Sequence, residues 1–233
     1  QSGGPTSVIN SSAAGVIITA LGQGCITHVY GAEHGIKGVL NERLFDMGLE
    51  DMEELELLKT TPSSALGSVR YKLADYEVDD TDYKRLLEVF KKYDIRYFFY
   101  NGGNDSMDTC NKVSKYMKKV GYECRVIGVP KTIDNDLFGT DHCPGFGSAA
   151  KYVATSFMEM YLDSHVYDKG RITVVEVMGR NAGWLTASSA IAAEKGFGPD
   201  LIYLPEVPFD KEKFIQDVSK IHDSKNGNVI IAV

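Results

Sequence analysis

Ile95-Arg96-Tyr97-Phe98-Phe99-Tyr100-Asn101-Gly102-Gly103-Asn104-Asp105-Ser106 is the stretch that decides the fold. Apart from Arg96, residues 95–100 are apolar and aromatic, and they have the length of a buried strand. Two glycines follow, which let backbone turn tightly and come close to a ligand. After Ser106, the residues Met107, Cys110, Val113, Met117 and Val120 recur at helical spacing until Gly121 stops them. Strand, glycine turn, then amphipathic helix is the unit of an α/β protein.

Working outward, the unit repeats. A strand is expected at 124–129, stopped by Pro130. A helix is expected over 147–163, with Val153, Phe157 and Met160 on one side. Strands at 172–177, 201–204 and 229–233 alternate with helices at 183–195 and 211–222. Upstream, 8–21 reads as an apolar helix. Residues 31–72 are irregular, carry several glycines, and read as loops with short elements. Near-continuous apolar strands between amphipathic helices imply a parallel sheet covered on both faces. The chain opens on Gln1-Ser2-Gly3-Gly4-Pro5 and closes on an apolar run that reads as a core strand. The expectation is a piece of a longer protein, truncated at both ends.

In such sheets, ligands sit beyond the carboxyl ends of the strands. Those exits carry 102–106, 130–136 and 178–181, and the glycine-rich 3–10 precedes a helix. Gly102 to Ser106 reads either as a phosphate site at a helix N-terminus or as a tight turn capped by Asp105 or Ser106. The Gly3-Gly4-Pro5 loop offers backbone N–H groups for a second phosphate cradle, with Asn10 placed to support it. Pro130-Lys131-Thr132-Ile133-Asp134-Asn135-Asp136 offers a base, a metal ligand and a cation in one short loop, or else an Asx-rich turn. Met178-Gly179-Arg180-Asn181 brings an Arg suited to bidentate phosphate contact. Arg171 stands at the other end of that strand, the wrong end for the same site.

Composition narrows the function. With 43% hydrophobic and 24% charged residues the chain is ordinary globular protein, and a net charge of −7 without a basic face gives no footprint for nucleic acid or an anionic membrane. No signal peptide or membrane span is visible. Cys25, Cys110, Cys124 and Cys143 match no zinc or redox spacing and read as buried free thiols of a reducing, cytoplasmic compartment. No Gly-x-x-x-x-Gly-Lys-Ser/Thr occurs, which argues against a P-loop NTPase. Gly145-Phe146-Gly147-Ser148-Ala149-Ala150 matches a dinucleotide fingerprint only loosely, because no strand leads directly into it. The histidines form no spaced metal pair; His142 falls in the loop after Asp136.

Taken together, Gly3-Gly4-Pro5, Gly102-Gly103-Asn104-Asp105-Ser106, Pro130 to Asp136 and Val177-Met178-Gly179-Arg180 resemble the phosphofructokinase family, in order and over essentially the whole chain. The resemblance implies a Rossmann-like phosphofructokinase fold, with 1–129 as a donor-binding lobe and 130–233 as the start of a sugar-phosphate lobe, incomplete at its C-terminus. It implies phosphoryl transfer to the 1-hydroxyl of fructose 6-phosphate with Mg²⁺. Asp134 is then the base, worth ~10²–10⁴-fold in rate, with Lys131 and Thr132 beside it. Thr132, Asp134, Met178, Gly179 and Arg180 line the sugar-phosphate side. Arg171 reaches the site of an adjacent subunit, so a homodimer or homotetramer is expected. Gly3, Arg70, Gly103, Asn104, Asp105, Ser106 and Lys131 line the donor side, and Asn104, Asp105 and Asp136 are the metal candidates.

The donor follows from two positions. ATP-using members commonly have glycine where this chain has Asp105 and Lys131, and glycine leaves room for the α-phosphate and nucleoside. Asp105 fills that space with negative charge, and Lys131 suits a small, highly charged donor, so pyrophosphate is expected over ATP. One departure stands out: the family commonly has Asp, a metal ligand, where this chain has Asn104. That keeps a regulatory subunit with a degenerate metal site in view, beside an ATP-dependent enzyme and a related kinase acting on a nucleotide or lipid. The family places further sugar-phosphate ligands beyond the final strand, so residues 1–233 alone are expected to be inactive.

Overall fold

The computed structural model describes every residue except Ser7, which falls inside the 3–10 stretch discussed above. The chain divides into two compact units, Gln1–Thr132 and Ile133–Val233.

In the first unit, α1 (Ile9–Leu21) leads to a small antiparallel hairpin of β1 (Tyr30–Ala32) and β2 (Leu44–Asp46), joined through α2 (Ile36–Leu40). Then come α3 (Met52–Leu57), α4 (Thr81–Lys92), β3 (Tyr97–Gly102), α5 (Asn104–Lys119) and β4 (Arg125–Pro130). The α4 helix buries Tyr83, Leu86, Val89 and Phe90, one stripe at helical spacing, and carries Lys91 and Lys92 in its last turn. Those cations face the negative end of the helix dipole. The α5 helix buries Ser106, Cys110, Val113 and Met117 along one side and ends before Gly121, whose φ of +69° only glycine adopts without strain.

Strands β3 and β4 pair in parallel, in register from Tyr97 opposite Arg125 to Gly102 opposite Pro130. Parallel neighbours need a crossover, and α5 supplies it. Gly128 makes the packing possible: a Cβ there would stand 2.5 Å from the Met107 sulfur on α5. Among the described residues β3 pairs with β4 alone. Residues 97–101 of β3 line a cavity of about 680 Å³ together with Ala13 and Ile17 of α1.

The second unit runs α6 (Phe146–Ser164), β5 (Ile172–Val175), α7 (Trp184–Ser188), a 3₁₀ turn (Ser189–Lys195), β6 (Leu201–Ile202), α8 (Lys211–Ser224) and β7 (Val229–Ala232). Its sheet is parallel, in the order β5-β7-β6. The central β7 is fully buried, and its side chains alternate between two cores. Ile230 and Ala232 pack with Phe157 of α6 and Ala192, whereas Val229 and Ile231 pack with Val218 of α8. A strand covered on both faces reads as an unbroken apolar run, as 229–233 does.

The α/β class and the parallel pairing agree with the sequence reading, while the parallel strands are distributed over two sheets, one in each unit, beside the antiparallel β1–β2 pair. Two details differ. The expected helix 183–195 tightens after Ser188 into a 3₁₀ turn, because Ser188 and Ser189 hydroxyls donate to the carbonyls three residues back. The cysteines are free, but Cys25 is exposed and Cys124 half-buried at the foot of β4, so only Cys110 and Cys143 are buried. Burial pushes the Cys110 thiol up to about 12 and the Cys124 thiol to about 11. Thiols held that high are inert rather than nucleophilic. No described helix is long and apolar enough to cross a membrane.

Candidate phosphate-handling site

The first unit gathers most of the residues expected on the donor side. Gly3 has φ +76°, and its N–H donates to the Val69 carbonyl at 3.1 Å. A Cβ on Gly3 would stand 3.6 Å from Lys131 Nζ and 3.8 Å from the Gly103 amide nitrogen. A Cβ on Gly4 would stand 3.9 Å from Arg70 Nη2. The glycine loop, the start of α5 and two cations therefore meet in one place.

Each of these is held by the fold. Lys131 follows β4; its backbone N–H donates to Gly102 O at 2.9 Å, and its ammonium donates to the Gly4 carbonyl. It is 6% exposed. Gly102 closes β3 under the Ser106 side chain, and a Cβ there would lie 2.1 Å from Ser106 Oγ and 2.9 Å from the Ser2 carbonyl. Only glycine lets the turn from β3 into α5 close this tightly. Gly103 precedes α5 with no side-chain cap, and Asp105 is the acidic residue of the first turn. Asn104 and Asp105 are exposed there and Ser106 is buried. The assembly combines backbone N–H groups, a helix N-terminus and two positive side chains, which is what a multiply charged phosphate group needs.

In the second unit, Asn135 has φ +57°, a left-handed conformation that Asn tolerates better than most residues. Its side chain braces the loop in both directions: Nδ2 donates to Asp141 O at 3.1 Å, and Oδ1 accepts from Cys143 N at 2.7 Å. Asp134 and Asp136 flank this reversal and are half-buried. The Asx turn and the two carboxylates are thus one feature rather than rival readings. Thr132, buried, is the last residue of the first unit. Beyond β5, Gly179 has φ +132° with the Ala182 carbonyl 2.3 Å from where a Cβ would stand, so Met178-Gly179-Arg180 turns on glycine. Met178 and Arg180 are exposed. Arg171 lies before β5, at the opposite end of the strand, with its guanidinium 4.1 Å from the Tyr167 ring centre.

The metal candidates fall in different units, Asn104 and Asp105 in the first and Asp136 in the second. Among the described residues no group of three His, Cys, Asp or Glu is placed to hold an ion. One carboxylate and one amide at a helix start fit a Mg²⁺ that arrives already coordinated by a phosphate chain, and do not fit one held by protein alone.

Two features escape a reading by motif. Asn135 braces its loop and is recognisable only as an Asn between acids. Glu206, remote in sequence, accepts the Gly183 N–H at 2.7 Å and so holds the start of α7. Neither carries a spacing signal.

Parallel strands crossed over by helices, with glycine turns at their ends, define an α/β protein. The chain belongs to the phosphofructokinase family, whose model, Phosphofructokinase, matches residues 1–233. It is 50% identical over 242 residues to the pyrophosphate–fructose 6-phosphate 1-phosphotransferase of Halomonas elongata, covering 100% of this chain and 56% of that protein. It superposes with TM-score 0.89 at 46% identity on the crystal structure of a pyrophosphate-dependent phosphofructokinase from Nitrosospira multiformis, covering 99% of this chain and 58% of that one. An ATP-dependent 6-phosphofructokinase of Actinobacillus pleuropneumoniae is 31% identical over 233 residues, covering 100% of this chain and 66% of that protein. The chain spans a little over half the length of its pyrophosphate-named relatives.

Proposed function

We propose that the whole protein transfers a phosphoryl group from pyrophosphate to the 1-hydroxyl of fructose 6-phosphate, giving fructose 1,6-bisphosphate. The single observation that carries this is Lys131 reaching the Gly3-Gly4 loop beside Gly103. A buried cation there favours a compact, highly charged donor over one whose charge is spread along a nucleotide. The greater identity to pyrophosphate-named relatives than to the ATP-dependent one supports the same choice.

In this reading residues 1–129 form the donor lobe and residues 130–233 begin the sugar-phosphate lobe. Gly3, Arg70, Gly103, Asn104, Asp105, Ser106 and Lys131 hold pyrophosphate through backbone N–H groups and two cations. Asp134 takes the proton of the sugar hydroxyl, and Thr132 helps fix that hydroxyl. Met178, Gly179 and Arg180 bind the sugar phosphate, and Arg171 serves the site of a neighbouring subunit in a homo-oligomer. Phosphoryl transfer asks mainly for positioning and charge neutralisation, which this set supplies. Mg²⁺ brought in with pyrophosphate would offset charge on the transferred group, with Asn104, Asp105 and Asp136 as the residues beside it. The setting is glycolysis in the cytoplasm.

Assay of the whole protein with each donor tests the proposal. Turnover with pyrophosphate and little with ATP is the expected result; strong activity with ATP alone would overturn it. A second reading, a regulatory subunit, is favoured by Asn104 at a position where the family carries a metal-binding Asp. An inert homomer that gains activity only with a partner subunit would support that reading instead.

A further inference from the structure

The segment 61–69 has no regular secondary structure, yet it delivers Arg70 to the glycine loop. Its backbone includes two residues at positive φ, Ser63 at +77° and Gly67 at +70°. Such a segment has no ladder of its own to fix it, so its orientation must come from outside.

The His34 N–H donates to the Leu66 carbonyl at 2.7 Å, and the rest of that support is a pair of buried amide side chains. Asn10, 1% exposed, sits in the first turn of α1, and Gln1 is 9% exposed. Asn10 Nδ2 donates to the carbonyls of Thr61 at 3.0 Å and Pro62 at 3.4 Å. Asn10 Oδ1 accepts from Ala65 N at 2.7 Å and from Gln1 Nε2 at 2.8 Å. Gln1 Nε2 also donates to Ile9 O at 3.2 Å, and Gln1 Oε1 accepts from Leu66 N at 2.9 Å and shares the single Ser64 hydroxyl proton, at 2.9 Å, with the Gly67 carbonyl at 2.6 Å. Asn10 therefore uses both N–H donors and two acceptor directions, the full inventory of the group, and Gln1 uses both donors and accepts from Leu66 N. A saturated amide has one orientation, and a neighbour in such a network has little freedom to shift.

The clamp continues to the cation. Ser2 Oγ and Gly3 N both donate to the Val69 carbonyl, at 3.2 Å and 3.1 Å, and Ser68 Oγ donates to the Gly3 carbonyl. Arg70 is the next residue. We infer that Asn10 and Gln1 are positioning residues for the phosphoryl donor: by holding 61–69 against the glycine loop they set the Arg70 guanidinium where pyrophosphate binds. The inference rests on the donor-site reading given above.

A double-mutant cycle in the whole protein tests it. Arg70→Ala is expected to raise the KM for pyrophosphate, with the KM for fructose 6-phosphate unchanged. Asn10→Ala, which removes the carboxamide from Thr61, Pro62, Ala65 and Gln1, is expected to raise the pyrophosphate KM by roughly tenfold, a size typical of coupled network residues. In the Arg70→Ala background the same change is expected to add less than about twofold, because it acts through Arg70. Ser68→Ala, at a half-buried position, provides the same comparison if Asn10→Ala does not fold, with a smaller effect in the same direction. Equal effects of Asn10→Ala or Ser68→Ala in both backgrounds, or a lower melting temperature with an unchanged pyrophosphate KM, would overturn the positioning role and leave the donor site standing. An Arg70→Ala protein with an unaltered pyrophosphate KM would overturn the donor-site reading and this inference with it.

Discussion

The Lys131 ammonium donates a hydrogen bond to the carbonyl of Gly4, joining residues 127 positions apart in the chain. The contact brings a buried cation from the end of β4 to the glycine loop, close to the Gly103 amide nitrogen. A lysine in that position contributes its charge without a side-chain search, because burial and the backbone bond to Gly102 have already fixed its base.

Donor preference should therefore move with this residue and with Asp105. Asp105→Gly combined with Lys131→Gly is expected to lower turnover with pyrophosphate and to raise turnover with ATP in the whole protein. Steady-state kinetics with both donors check it. An unchanged ratio of the two specificity constants would remove the steric and electrostatic account of donor choice.

Asp134 is expected to act as the base. Asp134→Ala should cut kcat by ~10²-fold or more, with the far-ultraviolet circular dichroism spectrum and melting temperature preserved. Asn135, which braces the loop through Asp141 and Cys143, should behave differently. Asn135→Ala is expected to lower stability as well as turnover, since it removes two side-chain hydrogen bonds and leaves alanine at positive φ.

Gly102→Ala should be destabilising by about 1–3 kcal/mol through overpacking against Ser106 and the Ser2 carbonyl. Chemical denaturation measures it. Adding Ser106→Gly should recover part of the loss and not all, because the Ser2 carbonyl belongs to the backbone and stays in place. Full recovery would locate the clash at the side chain alone.

Acid stability should depend on Glu42. Hydrogen bonds from Lys92, Arg85 and Tyr93 hold its carboxyl down at about 2. A carboxyl lowered in the folded state stabilises the fold above its unfolded value, and that contribution is lost as pH falls from the usual carboxylate range toward about 2. Glu42→Gln is expected to lower the melting temperature near neutrality and to flatten the decline across that acid window. High salt should shrink the difference, since the group lies near the surface. An acid limb of the same slope in both proteins would show that the cluster contributes nothing measurable.

The sequence was most legible where one strand or helix announces itself locally. Residues 95–121 show an aromatic strand, two glycines and a helical stripe closed by Gly121, and β3 and α5 lie there within a few residues of expectation. The α4 helix is legible in principle, with Tyr83, Leu86, Val89 and Phe90 at helical spacing, and a strand-centred reading passes over it. The β1–β2 hairpin is different. Its strands are three residues long and Gly31 interrupts the first, so no period exists to read; Leu66 and Met47 pack where a Gly31 side chain would stand. The division of the parallel strands into two sheets depends on pairing partners, which period does not reveal. The glycine turns and the acidic loop were visible as candidate site segments. The amide pair that steadies Arg70 was only half visible: Asn10 was placed as a support, but its partners lie at 1 and 61–65, separations that leave no pattern.

Among the described residues one side of β3 has no strand partner, with a practical consequence for residues 1–233 handled by themselves. That side carries backbone donors and acceptors beside the cavity lined by residues 97–101, and Tyr97 and Phe99 are exposed on the strand. A bare, aromatic strand edge is a template for strand addition by another chain. Residues 1–233 handled alone should therefore self-associate edge to edge as concentration rises, and a lysine at Tyr97 or Phe99 would be the simplest way to keep such a sample monodisperse.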